Sequence, residues 1–314
     1  MPTRRNAGRL GRRAAIAVVQ LWGAATLCFL MLHLIPGDPV DIIMGNQALV
    51  SPELKEQVRG EYGLGDPVGV QYLRLLGHLA HGDLGTSYQL QRPVWSALTE
   101  QLLPTVQLAA AALVLAVLLA VGAAVLVPER FRPARALLSG LEMVAVSLPQ
   151  YWLGILLITF LSLRWHIFPV IEAGTLRSLV LPAVAVALPI AGTLGQVLRE
   201  EMDTALAQPF VTSARARGAG ELAVRAGHAL RHCLVPATTL TGWFVGSLLG
   251  GSVLIEQVFG RPGLGQVALT AVTNKDIPMV TGVVMLAAAV YVVVNLLVEL
   301  SYLLIDPRLQ RDGH

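Results

Sequence analysis

A chain of 314 residues with 54% apolar and only 14% charged side chains, and a mean hydropathy of +0.64, carries more apolar surface than a soluble globule of that length can bury. It reads as an all-α integral membrane protein, which sets aside the soluble enzyme classes. The formal charge of +3 lies in segments between apolar runs, where membrane topology places basic residues, so it implies no nucleic-acid partner. Cys28 in an apolar run and Cys233 in a polar one read neither as a disulfide nor as part of a metal set.

In chain order, Arg4, Arg5, Arg9, Arg12 and Arg13 precede an uncharged run from Ala14 to Ile35, long enough to span a bilayer. The run ends in Ile35-Pro36-Gly37-Asp38-Pro39 rather than at a small-residue cleavage site, which predicts an uncleaved first span anchored by five cytoplasmic arginines. Residues 1–35 form this first segment. Residues 36–103 are a polar insertion with its own short helices: Ser51-Pro52 starts one that Gly63 ends, and Gln71 to Leu79 and Val94 to Leu102 suggest two more. The insertion carries eight acidic residues against four basic ones, a solvated external face or a surface for a partner.

Residues 104–314 read as a five-helix core, with spans at roughly 104–127, 137–161, 181–198, 237–258 and 279–304. With both termini in the cytoplasm, the inner segments hold 15 of the 23 Lys and Arg and the outer segments 8. This bias places residues 199–236 inside and 36–103 outside. Pro149, Pro182 and Pro189 can bend spans three and four, since the backbone groups they free must be satisfied by protein or water. Gly242, Gly246 and Gly250 recur every four residues along span five, a smooth stripe for close helix packing, within the chain or with a second subunit. Glu142 and Glu299 stand one to two turns from cytoplasmic ends, within snorkelling reach, and Glu256 stands near an external end. No carboxylate or His reads as a midplane group, which disfavours an ion-coupled carrier.

The polar interruption from Arg199 to Pro236 reads as two short helices joined by a tight turn. Pro209 suits a first helical turn and Gly218 the left-handed position past a helix end. From Glu221, Leu222, Ala226, Ala229, Leu230, Cys233 and Leu234 fall on one face of a regular helix, and Arg225, His228, Arg231 and His232 on another. Such a knob fits a protein partner or the lipid surface. After span five come Glu256-Gln257-Val258-Phe259-Gly260-Arg261-Pro262-Gly263-Leu264-Gly265 and Asp276-Ile277-Pro278, a short external or reentrant loop.

Several phrases together resemble the permeases of ABC importers, specifically the dipeptide/oligopeptide branch. They are Ile35 to Pro39; Gly63-Leu64 with Asp66-Pro67 and Gln71-Tyr72-Leu73; Gly82-Asp83-Leu84-Gly85-Thr86-Ser87; Phe210 to Gly218, followed by His228-Ala229-Leu230-Arg231 and Val235-Pro236; and the two phrases after span five. The resemblance implies a type I importer permease fold with six transmembrane helices and a cytoplasmic coupling helix. On that helix, Phe210, Val211, Thr212, Ser213, Ala214, Arg215, Arg217 and Gly218 would meet an ATPase subunit, with Phe210, Val211 and Ala214 seated in its groove. Two departures stand out. Thr212-Ser213-Ala214 occupy the family's EAA positions without its acidic residue, and the interval from Gly218 to Pro236 is longer than the usual spacing. The resemblance further implies a bacterial plasma (inner) membrane location, a second permease, two ATP-binding subunits, an external substrate-binding protein and a peptide substrate. Permeases of the same branch carry nickel chelates, glutathione or sugars.

The chemistry agrees with a non-catalytic subunit that holds no cofactor. Lys55 and Lys275 are the only lysines and neither follows a phosphate-binding loop, so ATP would be bound by the partners. A serine protease within the membrane would need a His base near Ser247 or Ser252, and no other span offers one at that depth.

Overall fold

The computed structural model describes residues 3–34, 40, 51–61, 63–169 and 175–305. The Ile35 to Pro39 phrase, the side chain of Glu299 and the C-terminal Arg308 and Arg311 lie outside the described residues. The helices are α1 (Thr3–Leu34), α2 (Pro52–Glu61), α3 (Val68–Ala80), α4 (Val94–Leu126), α5 (Arg132–Ser147), α6 (Gln150–Leu157), α7 (Leu176–Leu206), α8 (Pro209–Ala216), α9 (Glu221–Ala223), α10 (Leu230–Val258), α11 (Leu264–Thr273) and α12 (Ile277–Ile305). Extended pairing among the described residues is limited to one bridge between Thr86 and Pro93.

Four helices are long and apolar enough to cross a membrane by themselves, and up to six spans result if two bent pairs each count as one. The segment expected as a third span, 137–161, is not a straight rod. Arg132–Ser147 and Gln150–Arg164 meet at 106° across Leu148 and Pro149. Leu148 is extended, at φ −82° and ψ 131°, as a residue before proline must be. Pro182 and Pro189 are instead carried inside the single helix α7.

The chain divides into two compact units. The first holds residues 1–103 and 266–292. In it, α3 lies on the C-terminal half of α1: the Thr26 and Tyr72 hydroxyls are 2.7 Å apart, and the Phe29 and Tyr72 rings are 5.2 Å apart. The second unit holds residues 104–265 and 293–314. Its core is lined by small residues that let helices approach: Ala112, Ala116, Ala183 and Ala187 pack with Leu108, Ile190, Phe244 and Leu248. A second cluster joins Ala120, Ala124 and Val125 of α4 to Leu194, Leu198 and Met202 of α7 and to Ala229 and Cys233. The described outer faces of several helices remain apolar and exposed, at Val18, Leu27 and Met31 for α1 and Leu118 for α4, as lipid requires.

Candidate functional site

The knob is built from α8 and the turn after it. Pro209 starts α8 without needing an N–H partner, and Gly218 ends it at φ +83°. The Gly218 N–H donates to the Arg215 carbonyl (2.9 Å) and the Ala219 N–H to the Ala214 carbonyl (3.2 Å), the paired bonds that close a helix through a left-handed glycine. Val211 and Ala214 are buried against Val224, with Leu206, Phe210 and Ala219 around them. This corrects the expectation that Val211 and Ala214 face a partner, because an eight-residue helix must bury one stripe to stay attached and these two residues form it. Thr212, Ser213, Arg215, Ala216 and Arg217 form the exposed face. Phe210 is half-buried and stacks on His232, with ring centroids 4.7 Å apart. Arg215 reaches Glu221 at 2.8 Å, tying the far end of α8 to α9.

The segment after Gly218 is not a second short helix. It runs from α9 through a π-helical stretch, Val224–Ala229, into α10, so Pro236 lies inside a helix. The wider turn shifts the register, and the face expected from a regular helix is redistributed. Leu222, Ala226 and Leu234 are exposed, while Val224, Arg225, Ala229 and Cys233 are buried. Arg225, expected on the polar face, is only 3% exposed. It donates from Nε to the Val125 carbonyl (3.0 Å) and from Nη2 to those of Ala124 (2.5 Å) and Val127 (3.3 Å). These oxygens belong to the C-terminal end of α4, where carbonyls lack helical partners and the helix dipole favours a cation.

Two ion pairs brace α7, the helix that leads into the knob. Arg135 makes a two-pronged pair with Asp203, and Arg199 makes another with Glu142. The second pair is buried: Glu142 and Arg199 are each 6% exposed, and Ser139 accepts from Arg199 at 3.3 Å. Glu142 therefore does not snorkel; it is neutralised inside the unit. Gly192 and Gly195 make room for it. A Cβ on Gly195 would stand 2.7 Å from the Glu142 carboxylate, and one on Gly192 would stand 3.0 Å from its carbonyl oxygen. Of the glycine stripe in α10, Gly242 is buried, Gly246 half-buried, and Gly250 lies outside the residues whose surroundings are described.

At the other end of α10, Glu256 is fully buried. Its carboxylate accepts from the Thr105 hydroxyl (2.7 Å) and the Gly265 N–H (2.8 Å), while Thr105 accepts from the Leu264 N–H (2.8 Å). The loop glycines are needed for this approach, since a Cβ on Gly263 would lie 2.3 Å from the carboxylate and one on Gly265 2.4 Å from the Val253 Cα. Arg261 lies beside it with the Nε unpartnered among the described residues, and burial lowers its pKa against the opposing pull of Glu256.

In the first unit the phrases Gly82 to Ser87 and Asp276-Ile277-Pro278 meet. Asp276 accepts from the Ser87 hydroxyl, from the Tyr88 and Gln89 N–H groups (both 3.2 Å) and from the Met279 N–H (3.3 Å), so it caps α12 and holds the loop. Asp83 in turn accepts from the Gly85 N–H and pairs with His78 (both 2.8 Å); the N–H first and the imidazole second hold its pKa down. Among the described residues no cluster of His, Cys, Asp and Glu has a geometry that could hold a metal ion.

The comparison with known families decides the class. Residues 119–311 match the model of the binding-protein-dependent transport system inner membrane component, and residues 9–109 match the N-terminal membrane component of the same systems. The chain belongs to this family. A Brucella abortus (strain 2308) protein provisionally named a peptide transport system permease is 36% identical, across 96% of this chain and 98% of its own length. The dipeptide transport system permease protein DppB of Escherichia coli (strain K12) is 31% identical, across 95% and 97%. The glutathione transport system permease protein GsiC of Salmonella paratyphi A is 33% identical, across 91% and 93%. The permease resemblance read from the residues is thereby borne out, and the chain is a membrane component of an ABC import system.

Proposed function

We propose that this permease forms, with a second permease subunit, the path for di- or oligopeptides delivered by an external substrate-binding protein, and that it performs no chemistry itself. Two ATP-binding subunits would hydrolyse ATP, and α8 would be the coupling helix that one of them grips. The observation that carries the coupling role is the exposed stripe Thr212, Ser213, Arg215, Ala216 and Arg217 on a short helix fastened from behind by Val211 and Ala214. Phe210, Val211, Ala214 and Gly218 then set the angle of the knob, while the exposed residues make the contact. ATP-driven closure would shift the path between inward- and outward-facing states. Six spans, with both termini and the knob in the cytoplasm and the segment around Ser51 outside, complete the reading; the basic-residue bias supports it.

Uptake of a labelled dipeptide into proteoliposomes should require the binding protein, both permeases, the ATPases and ATP. On a background without Cys28 and Cys233, Ser213→Cys should crosslink to an ATPase subunit, and Ser51→Cys but not Ser213→Cys should react with an impermeant thiol reagent in intact cells. Uptake driven by an ion gradient without ATP, or the reverse labelling pattern, would sink the reading.

A further inference from the structure

We infer that Arg225 is the positioning residue through which the knob moves α4, so that α8 and the C-terminal end of α4 travel as one body during transport. The inference rests on the reading of α8 as the coupling helix and adds which membrane helix receives its motion. Consecutive residues of one π-helical turn face two different partners. Val224 packs against Val211 and Ala214 of the knob, and Arg225 binds the carbonyls of Ala124, Val125 and Val127. The polar bridge between knob and α4 therefore passes through one residue, beside the apolar contacts that Leu206 makes with both clusters.

Three properties make this bridge stiff. The Arg225 guanidinium is planar and spreads its bonds over three oxygens, a geometry that a single ammonium cannot reproduce. It is buried, so releasing it would strand a cation and the carbonyls of Ala124 and Val125 away from water. The apolar cluster beneath it, where Ala229 and Cys233 touch Ala120, Ala124 and Val125, keeps the turn seated. The knob is held at its other side by Glu221 on Arg215, four residues before Arg225. A cation placed there only to cap α4 would not need to sit beside the residue that anchors the knob.

The test uses the assembled importer and compares Arg225→Met, which keeps an apolar stem, with Arg225→Lys. At equal recovery of complex, ATP hydrolysed per dipeptide imported should rise about tenfold for Arg225→Met and less for Arg225→Lys, because hydrolysis continues while its motion is lost before reaching α4. A merely structural role would lower import and hydrolysis together; that result, or an unchanged ratio, overturns the inference. If Arg225→Met does not assemble, the otherwise intact importer decides the matter. Spin labels at Ser213→Cys and Leu126→Cys, both exposed, should keep their separation within about 2 Å between nucleotide-free and ATP-bound states, the scale of a small helix shift. A larger change overturns the rigid link. Failure of Ser213→Cys to crosslink to the ATPase would instead remove the coupling reading itself, so the two failures are distinct.

Discussion

The second unit buries a carboxylate at each of two places, and it stabilises them by opposite means. Near the knob, Glu142 is neutralised by one full charge, the guanidinium of Arg199, held across two helices. At the loop after α10, Glu256 is held by a hydroxyl and a backbone N–H, with glycines pressed against it and the Arg261 cation adding an electrostatic attraction. An ion pair in a low-dielectric setting concentrates its energy in one partner, whereas a set of neutral donors spreads it over several small contributions. The knob end is thus built around a few strong, separable contacts, and the loop end around shape.

The same substitution, Glu to Gln, separates the two. Glu142→Gln leaves Arg199 as a buried cation without its counter-charge and should destabilise the protein by about 3–5 kcal/mol. Lower thermal unfolding temperature and reduced assembly with the partners would report it. The double variant Glu142→Gln with Arg199→Met should recover most of that loss, since removing both charges restores neutrality. If the double variant were as unstable as the single, the pair would not be the source of the effect.

The loop end should break by volume before it breaks by charge. Gly265→Ala places a methyl 2.4 Å from the Val253 Cα, a backbone atom with no rotamer to escape into. Overpacking of this kind costs about 1–3 kcal/mol, so the variant should unfold earlier than the parent on heating and lose the order of the Gly263 to Gly265 turn. Gly122→Ala is the matched control, because nothing lies within 4 Å of the added carbon. Equal effects from both would show that backbone freedom rather than close approach sets the requirement.

The features that were legible in the sequence are those that depend on one residue and its immediate neighbours. Gly218 suits the left-handed position by its residue type alone and stands at φ +83°, and Pro149 can bend a span by its residue type alone and stands at the 106° break, with Leu148 extended before it. Arg225 falls on the polar face of a regular helix but is buried in the π-helical stretch Val224–Ala229, and a π-helical turn has no composition of its own to announce it. The Glu142–Arg199 pair joins residues 57 apart, and Ser87–Asp276 joins residues 189 apart. Each was visible only as a lone polar group near an apolar run. Asking which opposite charge could meet Glu142 in a neighbouring span would have pointed to Arg199. For Val211 and Ala214 the residue types were right for burial, but their partner is Val224 in the same chain rather than a groove in another.

Glu256→Gln should be the mildest of the changes, and its mildness is the sharpest statement of the comparison. The amide oxygen can still accept from the Gly265 N–H. The amide nitrogen can donate to the Thr105 hydroxyl oxygen, which has a second lone pair beyond the one used by the Leu264 N–H, and the hydroxyl proton can rotate away. What is lost is the extra strength of a charged acceptor, about 1 kcal/mol, together with the attraction of the neighbouring Arg261 cation. A ratio of unfolding penalties near one for Glu256→Gln and Glu142→Gln would mean that both sites depend on charge. A penalty at Glu142 several times that at Glu256 would place the charge-dependent contact beside the knob alone.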